Sequence, residues 1–473
     1  MAGGHFGGGY GTSASPYLVE DADDLNAVRN NIEAHYQQTA DIDLAEYENW
    51  EPLWDAEEYV AFTGSYDGNG FTIANLTVDK DSWDVGLFGM SENVTFKGIV
   101  LKDVDVKGRG NVGALSGYMG DCTVKECYVL GGIIEGNNYN VGGMAGNVVY
   151  DSVVEDCGVD VTVGGVNEVG GMFGQFRGNM KRCWSKGSVS GEHTLIGGLI
   201  GNYFATADKL LEECFSEADV VGEWGVGGMF GGLYSFGVIK NCYSRGDVEL
   251  TGGQWSDYIG GFAGDTDSGR YGEDAFDWVI HCYSTATIDD QGASNVGGLL
   301  GSVVPTAMGD VVNSYYDSTL SGQSDSTRGT PRTTAAMTHP TSGNTYVGWD
   351  FDSVWMHDRS HRLNDGYVMF HRPHGIVEGE GHLSSVLKFI AVLLAGAVHA
   401  SSQLRADLVS FIEKAVLISG TINASTYLAI MRKLLMWAKR DGVYEPVKAY
   451  ARHGGAYLQV THVYKREDGT YRE

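Results

Sequence analysis

Between residues 80 and 320 the apolar positions fall in short runs of four to six. The runs alternate with turns rich in Gly, Asn and Asp, and no 3.6-residue period shows within a run. That pattern predicts short strands joined by tight turns. One hexapeptide recurs through it: Val112-Gly-Ala-Leu-Ser-Gly117, Val141-Gly-Gly-Met-Ala-Gly146, Val169-Gly-Gly-Met-Phe-Gly174, Ile196-Gly-Gly-Leu-Ile-Gly201, Val226-Gly-Gly-Met-Phe-Gly231, Ile259-Gly-Gly-Phe-Ala-Gly264 and Val296-Gly-Gly-Leu-Leu-Gly301. A shortened copy, Val85-Gly-Leu-Phe-Gly89, precedes them, and the closing glycines step by 28, 29, 28, 27, 30, 33 and 37 residues. Such a period defines a repeat architecture.

Three short strands and three turns use about 28 residues, one coil of a β-solenoid. The expected fold is mainly β: a right-handed parallel β-helix of about eight coils, roughly 40 Å long at the usual strand spacing. Paired glycines allow backbones to approach where a Cβ would block them.

A second signature follows each hexapeptide. Six of the seven cysteines occupy it, Cys127, Cys157, Cys183, Cys214, Cys242 and Cys282, and Ser314 takes the last place; Cys122 stands off register. A residue repeating once per coil forms a ladder, and a small apolar thiol suits a narrow interior. Parallel side-chain vectors suit bridging poorly, so the expectation is buried free thiols made in a reducing compartment. The residue after each Cys or Ser is aromatic in most coils: Tyr128, Trp184, Phe215, Tyr243, Tyr283 and Tyr315, with Gly158 breaking the row. Alternation along a strand would turn these rings outward. There they would stack on sugar rings, or pack against other protein.

Four segments follow from this reading: a leader and cap over residues 1–78, the solenoid over 79–320, a closing segment and hinge over 321–373, and a tail domain over 374–473. The leader is expected to hold a short helix near Asp24–His35 and strands that close the open end of the solenoid. In the tail, Ser384–Ser401, Ala406–Ser419 and Ser425–Lys439 read as helices, and Ala449–Tyr464 reads as a hairpin around Gly454-Gly455. The first helix is apolar on nearly all faces, with Val386, Leu387, Ile390 and Leu394 as candidate oligomer or anchor positions; the core of the tail domain is the other place they could go. The small α+β tail is thus expected to oligomerise, as a trimer, or to anchor the molecule. At 15 residues the apolar stretch Val386–Ala400 is too short to span a bilayer.

Charge narrows the partners. The chain carries 61 Asp+Glu against 32 Lys+Arg, a formal net charge of -29. That acidity argues against nucleic-acid binding. Most of the acidity lies before His374: beyond it stand 12 basic and 9 acidic residues, leaving 20 and 52 ahead of it. Met1–Gly7 lacks the basic start and apolar run of a signal peptide, so export through that route is not expected.

The hexapeptide resembles the GLUG repeat of bacterial and viral surface proteins, whose core is a G-G-[LM]-x-G pattern. The flanks are similar as well, at Gly11–Val19, Thr39–Leu44 and Phe62–Gly70 before the repeats and at Tyr315–Asp317, Gly348–Phe351 and Asn364–Tyr367 after them. The resemblance covers about residues 9–368 and implies a solenoid; the proteins that share it include adhesins, protease-associated modules and phage structural proteins.

Candidate chemistry is sparse. Asp265-Thr-Asp267-Ser-Gly269 with Glu273 and Asp274 has some calcium-loop character but lacks the twelve-residue spacing. Acidic groups such as Asp21–Asp24 and Asp41–Asp43 could serve a glycan-cleaving site, yet no pair is singled out, and solvated acids are the ordinary reading in so acidic a chain. No catalytic residue and no cofactor is expected. The favoured reading is a virion structural protein of a bacterial or archaeal virus, as tail fibre, spike, turret or capsid decoration. It would be assembled in the host cytoplasm and displayed on the particle, contacting host glycan or protein through the loops at 252–258 and 265–275 and other virion proteins through its tail. The alternatives are a cellular surface adhesin and a polysaccharide-degrading β-helix enzyme.

Overall fold

A computed structural model of the chain describes residues 6–371, apart from positions 55, 207, 235–236, 253–256, 267–277, 302–310 and 326–327, together with four strands between 449 and 472. The chain divides into two units, Met1–Phe389 and Ile390–Glu473.

The first unit is a parallel β-solenoid. Its coils contribute to four sheets rather than the three faces expected. Among the described residues, sheet 1 has 11 strands from Tyr17–Val19 to Val311–Val312, and sheet 2 has 14 from Ile42–Asp43 to Thr330–Arg332. Sheet 3 has eight, from Trp83–Val85 to Asn295–Gly297, and sheet 4 has seven, from Phe88–Glu92 to Ala263–Asp265. The extra face comes from the hexapeptide. Its glycines break what reads as one run into two strands, as in Tyr139–Gly142 and Ala145–Val149, that meet at an inside corner.

Coils stack in register. Val112, Val141, Val169, Ile196, Val226, Ile259 and Val296 pair in one column, each opposite the next. Val124, Val154, Met180, Leu211, Ile239 and Val279 form a second column across the lumen, and all six are buried. Each such side chain contributes roughly 1.5–3 kcal/mol by leaving water, so repetition of one modest burial builds the core.

The glycines are demanded by backbone contact. In the coil Ile196–Gly201, a Cβ on Gly197 would lie 2.0 Å from the Ile200 carbonyl oxygen, and one on Gly198 would lie 2.2 Å from that of Gly228. A Cβ on Gly201 would meet the backbone of Glu168 and Val169 at 2.6 Å. In this coil all three positions exclude a side chain, and the first and last of them are glycine in every full copy of the hexapeptide, whereas Ala114 takes the middle one in the first copy.

Most coils also turn through two left-handed residues. One precedes the cysteine position: Glu126, Asp156, Arg182, Glu213, Asn241, His281 and Asn313 have φ between 45° and 55°. The other precedes the Val-Gly pair: Asp84, Asn111, Asn140, Glu168 and Leu195 have φ between 47° and 62°.

The open ends are covered. At the N-terminal end a helix at Ala22–Ala27 continues as a 3-10 turn over Val28–Asn30, capped by the Asp21 carboxylate accepting from the Asp24 amide at 2.9 Å. This helix is shorter than expected. Asn31 leaves helical geometry, and His35 already begins a strand of sheet 1. At the other end Thr330–Arg332 pairs with Tyr315–Asp317 as the last rung of sheet 2.

In the second unit, Ala449–His453 pairs antiparallel with Ala456–Val460, the hairpin expected around Gly454-Gly455, and Lys465–Glu467 pairs with Thr470–Arg472. The expected helices, with Val386, Leu387, Ile390 and Leu394, lie outside the described residues. Among the described residues no helix is long and apolar enough to cross a membrane.

Candidate functional site: an inside-corner trough

The residues chosen from the sequence come first. The aromatic row does stand outside the lumen, on sheet 2. Register carries it as Val100, Tyr128, Gly158, Trp184, Phe215, Tyr243, Tyr283 and Tyr315. It does not face solvent, however: all six rings are buried. The closing segment lies over the C-terminal half of the row, bringing Tyr346, Trp349, Trp355, Tyr367 and Phe370 into one apolar cluster with it. The Tyr283 hydroxyl donates to the Val368 carbonyl at 2.8 Å, the Tyr367 hydroxyl to Asp317 at 2.6 Å, and the Trp349 indole N–H to the Asn313 carbonyl at 2.8 Å. Sugar stacking on these rings is therefore excluded. Strand alternation gives the outward direction correctly, but it carries no sign of the segment that later packs there.

Gly158 has a physical reason. A Cβ there would lie 2.1 Å from the Trp184 indole, which occupies the space above it. The gap in the row makes room for the largest ring in it.

All seven cysteines are free and buried. The Cys127 amide donates to the sulfur of Cys157 at 3.4 Å and the Cys183 amide to that of Cys214 at 3.3 Å, so the thiols stack as a ladder. Ser314 completes the row by accepting from the Cys282 amide at 3.0 Å. Burial pushes the thiols of Cys157, Cys214 and Cys242 well above their ordinary pKa, and that of Cys122 up to about 12; hydrogen bonds from its ladder neighbours pull Cys183 the other way, and it is burial that shields all seven from reagents.

Of the calcium candidates, Asp265 is buried and accepts from the Tyr234 hydroxyl at 2.5 Å, while Asp267, Glu273 and Asp274 lie outside the described residues. Among the described residues no group of three His, Cys, Asp or Glu side chains is placed to hold a metal ion. Most of the expected contact loops, 253–256 and 267–277, also lie outside them.

A different feature emerges where sheets 3 and 4 meet. Each strand of sheet 4 crosses close to the sheet 3 strand of the coil before, so their outer faces form an inside corner running along the solenoid. Three contacts across it fix the pairing. The Asn202 amide donates to Glu168 at 2.9 Å, a Cβ on Gly232 would lie 2.9 Å from Leu195, and one on Gly225 would lie 3.6 Å from the Asp265 Cβ. The floor is polar. Asn111 donates to Asp84 at 2.8 Å and Asn140 donates to Asn111 at 2.8 Å, a ladder of side chains that all hold left-handed φ. Glu168 stands next in that column. Burial raises the carboxyl pKa of both Asp84 and Glu168. The amide oxygens of Asn140, Asn147 and Asn202 are buried and have no hydrogen-bond partner among the described residues.

The N-terminal part of the trough is edged with rings. Trp83 and Tyr139 directly precede the floor residues Asp84 and Asn140, and they are 40% and 48% exposed. On the opposite side the Tyr59 hydroxyl reaches Asp84 at 3.5 Å, and Tyr118 and Tyr150 pack against the strand at Gly120. Sequence reading missed this site because its residues are adjacent or about one coil apart and none belongs to a catalytic motif. The available signal was the recurrence of Asp or Asn one place before the hexapeptide valine.

No protein-family profile matches the chain. A "Putative Gly-rich membrane protein" of Evansella cellulosilytica is 32% identical over 421 residues, covering 74% of this chain and 44% of that protein. Halomucin of Haloquadratum walsbyi is 35% identical over 162 residues, 31% of this chain and 2% of that protein. The chain thus spans less than half the length of these relatives. Among solved structures, a "putative immunoglobulin A1 protease" of Bacteroides ovatus superposes with a TM-score of 0.46 at 18% identity, over 77% of this chain and 95% of that one. An IgA1 protease superposes with a TM-score of 0.41 at 16% identity, over 63% and 21%. These likenesses are too distant to carry an argument about activity.

Proposed function

We propose that this chain is a surface-displayed attachment protein of the GLUG type, a rigid acidic solenoid that works by binding. The observation that carries the reading is the group of half-exposed rings, Trp83, Tyr139 and Tyr150, along the inside corner of sheets 3 and 4. Two further observations support it. A net charge of -29 keeps such rods soluble and mutually repelling, and the two curated relatives are named for a membrane protein and a halomucin. Those names favour display on a cell surface over display on a virus particle. The tail is assigned to anchoring or to trimer formation, which would multiply weak contacts into avidity.

Catalysis is the weaker reading of this trough. Asp84, which is buried, and Glu168, which is half-buried, stand in one column of its floor, and three strand steps separate them, about 14 Å. Glycoside hydrolysis places its two carboxyls about 5–10 Å apart. The test is to incubate the purified full chain with surface polysaccharide from intact cells, following retention and chain length together. Retention without shortening is expected. Shortening of the polymer would replace the attachment reading with an enzymatic one.

A further inference from the structure

We infer that a pocket in the closing segment binds a carboxylate-bearing sugar of an acidic polysaccharide; this rests on the attachment reading and names its ligand class. The pocket holds about 450 Å³, within the size range of small-ligand sites. Phe351, Met356 and Leu363 give it an apolar wall, and Arg359, Ser360 and His371 its polar side. It is open to water: Arg359, Ser360 and His371 are exposed, and Leu363 is 64% exposed. The Phe351 ring stacks on His357 at 4.4 Å, and the His371 ring donates from Nε2 to the Phe351 carbonyl at 3.0 Å, so the wall is held in place.

Charge decides what the pocket takes. The chain ahead of His374 is strongly acidic, yet residues 357–362 hold two arginines, two histidines and one aspartate. Arg359 and Arg362 are exposed and make no ion pair among the described residues. The acids near them are already engaged. Asp358 is buried and accepts from the amides of Ser360, Leu363, Asn364 and Gly366 at 2.8–3.2 Å. Asp350 accepts from the amides of Asp352 and Ser353, both at 2.9 Å, and Asp365 pairs with Arg245 at 2.5 Å. What the rim offers a ligand is therefore guanidinium, whose paired N–H groups suit a carboxylate. The negative field of the rest of the chain is screened beyond about 8 Å at physiological salt, so the local cations prevail. A uronic acid residue joins a carboxylate to an apolar ring face and uses both sides of the pocket, whereas a bare anion would leave the wall unused.

The test is affinity electrophoresis of the full chain through gels containing polygalacturonate or alginate, each compared with a polymer-free gel. Methyl-esterified polygalacturonate, the same polymer without free carboxylates, is the control. Retardation by at least one of the acidic polymers and none by the ester is expected. The double variant Arg359→Ala/Arg362→Ala should weaken that retardation by roughly tenfold or more. Lys97→Ala/Arg109→Ala, which removes the same charge at exposed positions of the solenoid, should leave it unchanged. An unchanged circular dichroism melt of the arginine variant shows that folding is intact. The inference is overturned if neither acidic polymer retards the chain, if the ester retards it equally, or if the arginine variant binds as the parent does. Adhesion to intact cells, measured beside it, separates the two failures: adhesion that survives the arginine variant sinks the pocket but keeps the attachment reading, whereas pocket binding without any cell adhesion does the reverse.

Discussion

Glu168 sits where a ladder of amides stops. Its carboxyl accepts from Asn202 on one side and stands next to the unpartnered oxygen of Asn140 on the other. A carboxylate can accept there but cannot donate, and burial penalises its charge. A native pKa raised above the unfolded value makes the ionised group cost stability at neutral pH, and the cost disappears as the proton returns. Glu168→Gln should therefore raise the melting temperature at pH 7–8, its new amide donating to Asn140. The advantage should shrink as pH falls through the raised native value towards the ordinary 4.5. Thermal melts of both proteins at pH 4, 6 and 8 decide it, and a constant difference across pH would refute the charge account.

Glycine and cysteine make further claims at this scale. Gly197→Ala places a methyl 2.0 Å from a carbonyl oxygen and 2.5 Å from the Gly231 amide, so backbone must move. A loss of several kcal/mol is expected, about the size of the larger core substitutions, read as a fall in the denaturant midpoint. Ser314 already does the work of a ladder cysteine by accepting from the coil below. Cys282→Ser should hence cost no more than about 1 kcal/mol. A thiol reagent should label none of the seven cysteines in the native chain and all of them after unfolding.

At the scale of elements, the closing segment is the main thing the sequence conceals. The repeat period, its glycines and the ladder positions are legible because each physical need recurs once per coil, and recurrence marks a position as constrained. The closing segment occurs once. Trp349 and Tyr367 fall in stretches that resemble the family's closing flank, but the resemblance says nothing of what they cover, and only packing on Tyr243, Tyr283 and Tyr315 shows the purpose of these rings together with Trp355 and Phe370. The number of sheets is hidden for a related reason: hydrophobic alternation does not show that a glycine corner splits a run in two. Trp355 is wholly buried, and its indole N–H reaches the Asn241 side chain at 3.2 Å. Trp355→Ala should cost about 3–5 kcal/mol and expose the ring stack, seen as new binding of a hydrophobic dye below the melting transition.

Over the whole molecule, stacking of similar coils turns weak local choices into one long core, and the same stacking lays out a continuous outer corner. Charges are matched locally in spite of the large net value. Arg182 holds Asp156 at 2.6 Å and Lys125 holds Glu155 at 3.0 Å, both across neighbouring coils. Such half-exposed pairs contribute little individually, so moderate salt should alter binding partners more than fold. The central claim is that this solenoid is displayed outward in order to attach. Immunogold labelling of the producing cells and of particles released from them, with antibody raised against residues 79–320, tests it most directly. Label along the outer envelope is predicted; label confined to released particles would return the protein to the virion, and label confined to the cytoplasm would contradict the account.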